Sequence, residues 1–124
     1  MGVRQAQQRT TLGRYGEALA EQVLIGAGMT ILDRNWRCDL GEIDLVARDG
    51  DTVVVCEVKT RSGLGFGHPL ESVTARKVAR LRRLAARWVV EHRVHPAQIR
   101  LDVIAVLREP GPGPVHVEHL REVG

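Results

Sequence analysis

The chain has 124 residues, enough for one domain with a real core. Its composition, 44% hydrophobic and 27% charged, is that of a soluble globular protein, and it holds neither a transmembrane run nor an internal repeat. A net charge of +3 permits a polyanionic partner without requiring one. The two cysteines, Cys38 and Cys56, lack metal spacing and follow no signal peptide, so a reduced, cytoplasmic setting is expected. Met1-Gly2 with Ala6 at the sixth position excludes N-myristoylation.

In chain order, residues 1–11 are polar and predict a flexible arm, and residues 12–124 predict a single domain. Leu12, Tyr15, Leu19 and Val23 recur at helical spacing, which predicts a helix over Leu12–Gly26 stopped by Gly26 and Gly28. Glu17 and Glu21 lie one turn apart on it. They form either a solvated face or, for Glu17, a carboxylate turned toward a site. Met29–Arg37 reads as a first strand, with Arg34 and Arg37 available to phosphate or to solvent.

Gly41–Thr60 reads as a β-hairpin, two apolar β-branched runs around Asp49, Gly50 and Asp51. A Gly50–Asp51 loop sets Asp44 opposite Glu57, whereas an Asp49–Gly50 loop sets Glu42 there. Either register brings two carboxylates together, which is destabilising on a sheet. At about 4 Å and an effective dielectric of ~20 the repulsion is roughly 4 kcal/mol. A cation between them or a bound proton relieves it. Val53, Val54, Val55, Cys56 and Val58 predict a strand buried on both faces, with the charges at its open end.

Glu57 and Lys59 share one face of that strand. Asp44, Glu57 and the carbonyl of Val58 are oxygen donors suited to a hard ion such as Mg²⁺ or Mn²⁺. Lys59 then points an ammonium at the same place, where it orients water or balances phosphate charge. The plain alternative is a solvated Glu–Lys pair at a strand end. Of 18 basic residues 16 are arginine, and only Lys59 and Lys77 are lysine. A compact titratable ammonium is a different tool from a guanidinium, so lysine at position 59 is informative.

Arg61–Pro69 holds three glycines around Phe66. This loop either closes over a ligand, with Phe66 stacking on a base, or only connects. A long helix is predicted from Ser72 or Thr74 to Glu91, buried along Val78, Leu81, Ala85 and Trp88. Arg76, Arg80, Arg83 and Arg87 line another face, flanked by Lys77 and Arg82, with only Glu91 as an acidic residue at helical spacing. That face suits a phosphate backbone or is simply solvated. Arg100–Leu107 predicts a strand in which Asp102 either pairs with Arg100 or holds a residue of the site. Residues 110–114 form a Pro-Gly turn, and Val115–Leu120 a short edge strand. His116 and His119 are spaced poorly for zinc. The order α-β-β-β-α-β-β, with a crossover helix, predicts a mixed central sheet flanked by helices.

Several linked motifs carry a resemblance. Leu12-Gly13, Gly16-Glu17, Arg34-Asn35-Trp36-Arg37, Gly41-Glu42-Ile43-Asp44-Leu45 and Glu57-Val58-Lys59 with Arg61 are similar to the bacterial YraN family. Phe66-Gly67, Pro69, Glu71, Val73, Lys77, Arg100 and Asp102-Val103 continue the match, over about residues 10 to 120. The family resembles the PD-(D/E)xK restriction-endonuclease-like fold and archaeal Holliday junction resolvases, with Ile43 at the motif's nominal proline. The resemblance implies a metal-dependent DNA endonuclease. Asp44 and Glu57 would be its metal carboxylates, Lys59 its catalytic lysine and Glu17 its helix acid. Mg²⁺ or Mn²⁺, a DNA substrate, branched DNA included, and a homodimer are implied with it. Arg61, Arg76, Lys77, Arg80, Arg83 and Arg87 are the candidate DNA contacts. The alternative is a DNA-binding or structural module on the same fold.

Overall fold

The computed structural model describes residues 11–62, 73–109 and 113–124. Most of the expected N-terminal arm, the glycine loop with Phe66, and Pro110 to Pro112 lie outside them. The elements are α1 (Thr11–Gly26), β1 (Thr30–Cys38), β2 (Gly41–Asp49), β3 (Thr52–Ser62), α2 (Ala75–Glu91), β4 (Gln98–Arg108) and β5 (Val115–Leu120). This is the predicted order, with one shift at the start: Thr11, assigned to the arm, already belongs to α1.

The five strands form one sheet in the order β1-β2-β3-β4-β5. The first three meander antiparallel, β4 joins β3 in parallel, and β5 returns antiparallel at the edge. The β3–α2–β4 connection is the crossover that a parallel pair requires. Because neighbouring strand residues face opposite ways, the sheet has two apolar faces. Leu45, Ala47, Val54, Cys56, Ile104 and Val106 pack against Ala20 and Leu24 of α1. Val46, Val53, Val55 and Leu101 pack on the other side against Leu81, Leu84, Ala85 and Trp88 of α2. Val53 to Cys56 and Leu101 to Val106 are buried without a break, as two-faced central strands must be.

Helix ends follow local chemistry. α1 closes with Gly28 N–H on Ile25 C=O (2.9 Å) and Met29 N–H on Leu24 C=O (3.0 Å). That is a Schellman pair, and Met29 returns to the core beside Leu24. Thr74 caps α2 by accepting from Lys77 N–H at 3.2 Å. The β2–β3 turn is Gly50–Asp51, since Asp49 pairs with Thr52 and Arg48 with Val53. Gly50 takes φ +60 while Asp51 does not go positive, the pattern of a type II′ hairpin. This selects the first of the two sequence registers, the one that sends Asp44 toward Glu57.

Candidate functional site at a strand fork

β2 and β3 pair from Asp49–Thr52 to Leu45–Cys56 and then part. β2 continues beside β1 down to Gly41, and β3 beside β4 out to Ser62. A fork leaves backbone groups that no ladder satisfies, and one of them is met by a side chain. Val58 N–H donates to Asp44 Oδ2 at 2.7 Å. The ladder therefore stops one pair short of the expected Asp44–Glu57 opposition, and the Asp44 carboxylate bridges the gap. The N–H and C=O of one strand residue point to the same side, so the Val58 carbonyl opens into the fork as well.

The fork is prepared on β1. Arg34 pairs with Leu45 and Trp36 with Ile43, which leaves Asn35 and Asp44 between them without a ladder pairing. Leu45 and Ile43 are two apart, yet they lie in different core clusters on opposite faces. The alternation of β2 thus breaks at Asp44. On β1 the break is taken by Asn35 at φ +50, in the left-handed region that Asn tolerates.

Glu57 and Lys59 stand on β3 just past the fork, with Lys59 Nζ 3.6 Å from Glu57 Oε1. The other oxygen, Glu57 Oε2, is buried and, among the described residues, accepts no hydrogen bond. A buried acceptor left unmet costs about 1–3 kcal/mol, and more when charged. Burial pushes the Asp44 carboxyl up to about 6, with the nearby charges of Glu17 and Glu57 adding to it. The Val58 N–H and the Lys59 charge work in the other direction.

α1 supplies Glu17. The helix lies close to β3 at Gly16, where a Cβ would run into the Thr60 hydroxyl, so only glycine fits there. Glu17 then lines a cavity of about 320 Å³ with Gly13, Val58, Lys59, Thr60 and Arg61. Its Oε1 accepts from Asn35 Nδ2 at 3.1 Å. On its other side lies a hollow of about 390 Å³ bordered by Arg14, Arg34 and Asn35. Glu21, its neighbour one turn on, is taken by Arg34, whose Nε donates to Glu21 Oε2 at 3.0 Å. That ion pair holds the Glu21 carboxyl below the usual range, the Arg34 hydrogen bond being the main cause.

Glu17, Asp44, Val58, Glu57, Lys59 and Arg61 thus come together around the fork. Among the described residues no three His, Cys, Asp or Glu side chains form a ready ligand cluster. Two carboxylates and a carbonyl are few protein donors, which matches Mg²⁺ or Mn²⁺ held with several waters rather than zinc. The orphaned Glu57 oxygen fits that donor set.

The α2 arginines lie elsewhere. Arg76, Arg80 and Arg83 are exposed and, among the described residues, make no ion pair. Arg80 Cδ comes within 4.0 Å of the Cβ position of Gly41, so the face runs beside the start of β2. Arg87 is not free, since it holds Asp39 of the β1–β2 turn at 2.8 and 2.9 Å. Lys77 is half-buried and flanks the arginine face, about 100° round the helix from Arg76. Among the described histidines, His119 serves Asp102 at 2.8 Å. Asn35 and Gly16 shape the site although only their motif context singled them out. An Asn inside a strand, where that residue is depleted, was the readable signal for the first.

Taken together, these features define a mixed α/β protein with a carboxylate–lysine site where two central strands diverge. A model of Uncharacterised protein family UPF0102 matches residues 16–106. A UPF0102 protein of Beutenbergia cavernae is 57% identical over 116 residues, covering 94% of this chain and 98% of its own. One from Frankia alni is 58% identical over 113 residues, covering 91% and 93%. One from Streptomyces coelicolor is 56% identical over 117 residues, covering 93% and 89%. The chain belongs to the UPF0102 family, the same family as YraN.

Proposed function

We propose that this protein is a divalent-metal-dependent DNA endonuclease that hydrolyses phosphodiester bonds at the strand fork. The observation that carries the reading is the buried Glu57 Oε2, without a hydrogen-bond partner among the described residues, beside an Asp44 carboxylate in the same fork. Asp44, Glu57 and the Val58 carbonyl would hold Mg²⁺ or Mn²⁺. The ion, when bound, supplies a water acidic enough to attack near neutral pH and a counter-charge for the phosphate. Glu57 Oε1 keeps the Lys59 ammonium within 3.6 Å, where it orients water or balances phosphate charge. Glu17, from α1 at the wall of the same cavity, would help bind the metal or its water. Arg61 borders that cavity, and Arg76, Arg80 and Arg83 form the face that would track the DNA backbone. The motif resemblance to junction resolvases makes branched DNA the first substrate to offer, as an analogy.

The test is cleavage of labelled linear, flap and four-way-junction DNAs with Mg²⁺, Mn²⁺ or a chelator. Wild type is expected to cut only with metal. Asp44→Ala should abolish cutting, and Lys59→Ala should slow it by about 100-fold or more. Both variants should keep salt-sensitive DNA binding. Uncut DNA throughout, with that binding intact, would instead favour a binding module, which the exposed arginines of α2 would also serve.

A further inference from the structure

We infer that Asn35 is a positioning residue of the fork, holding Glu17 at the cavity wall through its side-chain amide. This rests on the divalent-ion reading above and goes beyond it, because Asn35 contacts neither the reacting phosphate nor the ion.

Three features support it. Asn35 lies opposite Asp44 at the point where both strands break their alternation, so its position is tied to that of the carboxylate. Its Nδ2 donates to Glu17 Oε1 at 3.1 Å and to Glu42 Oε1 at 3.4 Å. One amide thus joins carboxylates from two elements that would otherwise repel. Glu42 in turn meets Arg37 Nε at 3.3 Å, which anchors the far end of the chain on β1. Lastly, φ +50 fixes the direction in which the amide leaves the strand.

A left-handed asparagine has an ordinary explanation too, that the backbone merely needs a residue tolerant of φ > 0. Glycine separates the two, since it meets the backbone demand and lacks the amide. The experiment titrates metal-free protein with Mn²⁺, followed by electron paramagnetic resonance, for wild type, Asn35→Gly, Asn35→Ala, Glu17→Gln and the Glu17→Gln/Asn35→Gly pair. Melting temperatures of the metal-free proteins are recorded alongside.

Asn35→Gly should melt within a few degrees of wild type yet bind Mn²⁺ about 10-fold more weakly, the usual effect of losing an outer hydrogen-bonding partner of a metal site. Asn35→Ala should lose melting temperature as well. Adding Asn35→Gly to Glu17→Gln should change Mn²⁺ affinity little, because Asn35 acts only through the Glu17 carboxylate, which the glutamine has already replaced. Wild-type affinity in Asn35→Gly, or losses that simply add in the pair, would overturn the inference and leave the metal reading standing. A wild type that binds no Mn²⁺ would overturn both.

Discussion

Asp44→Asn is expected to make the metal-free protein more stable by up to about 3 kcal/mol at pH 8 and, under the proposed function, to end cleavage. The Asp44 carboxyl is raised to about 6 in the folded protein, chiefly by burial, against about 3.8 when solvated. Between those values the folded state holds a proton that the unfolded state has released. Stability therefore falls as pH rises from about 4 to about 6, and above that the full cost persists. Asparagine removes the charge and keeps an oxygen for the Val58 N–H. Urea unfolding of both proteins at pH 4 and pH 8 measures this. The two should be close at pH 4, and the variant should lead at pH 8. Mg²⁺ should then stabilise wild type alone, since only a ligand of the folded state shifts the balance. A variant weaker than wild type at pH 8 would mean that Asp44 holds the fork together rather than straining it.

Asp102→Ala is expected to cost about 3–5 kcal/mol, the penalty for removing one partner of a buried ion pair. Asp102 is completely buried. Arg100 donates to it twice, from Nε at 2.9 Å and from Nη2 at 3.0 Å. His119 lies 2.8 Å away, and Glu122 N–H donates at 3.2 Å. Burial pushes this carboxyl up, but the bonds from Arg100, His119 and Glu122 outweigh it and hold it below the usual range. The sign is opposite to that of Asp44: this stabilisation is complete above about pH 4 and is lost as pH falls further. Loss of Asp102 would strand the guanidinium of Arg100, which among the described residues keeps only Asp49 at 3.1 Å. It would also remove the side-chain tie from β4 to His119 of β5 and to the Glu122 N–H after it. Urea unfolding at pH 7 checks this, and a loss under about 1 kcal/mol would show that the pair is dispensable.

The contrast between these aspartates explains what the sequence could and could not say. Both are acidic residues in apolar strands, and periodicity cannot tell them apart. Asp102 had Arg100 two residues away on the same face, so the structural reading was available beside the functional one, and it is the one the structure shows. Asp44 had no such partner, and a second carboxylate lay across a tight turn of two possible registers. Strands, helices and the crossover were legible because burial repeats at two or about 3.6 residues. The fork was not, because it is a failure of that repeat: Leu45 and Ile43 ought to share a face and do not. The unmet oxygen of Glu57 likewise depends on packing from several elements. The Arg87–Asp39 pair was missed for the same reason, since its partner is 48 residues away in sequence. Leu84 belongs to the buried stripe of α2 although the sequence stripe passed over it.

The most direct test of the central claim is calorimetric titration of the metal-free protein with Mn²⁺, comparing wild type with Glu57→Gln at pH 7.5. A site built on the buried Glu57 oxygen predicts saturable binding by wild type and binding at least about 10-fold weaker in the variant. Equal binding by the two proteins, or none by wild type, would contradict it.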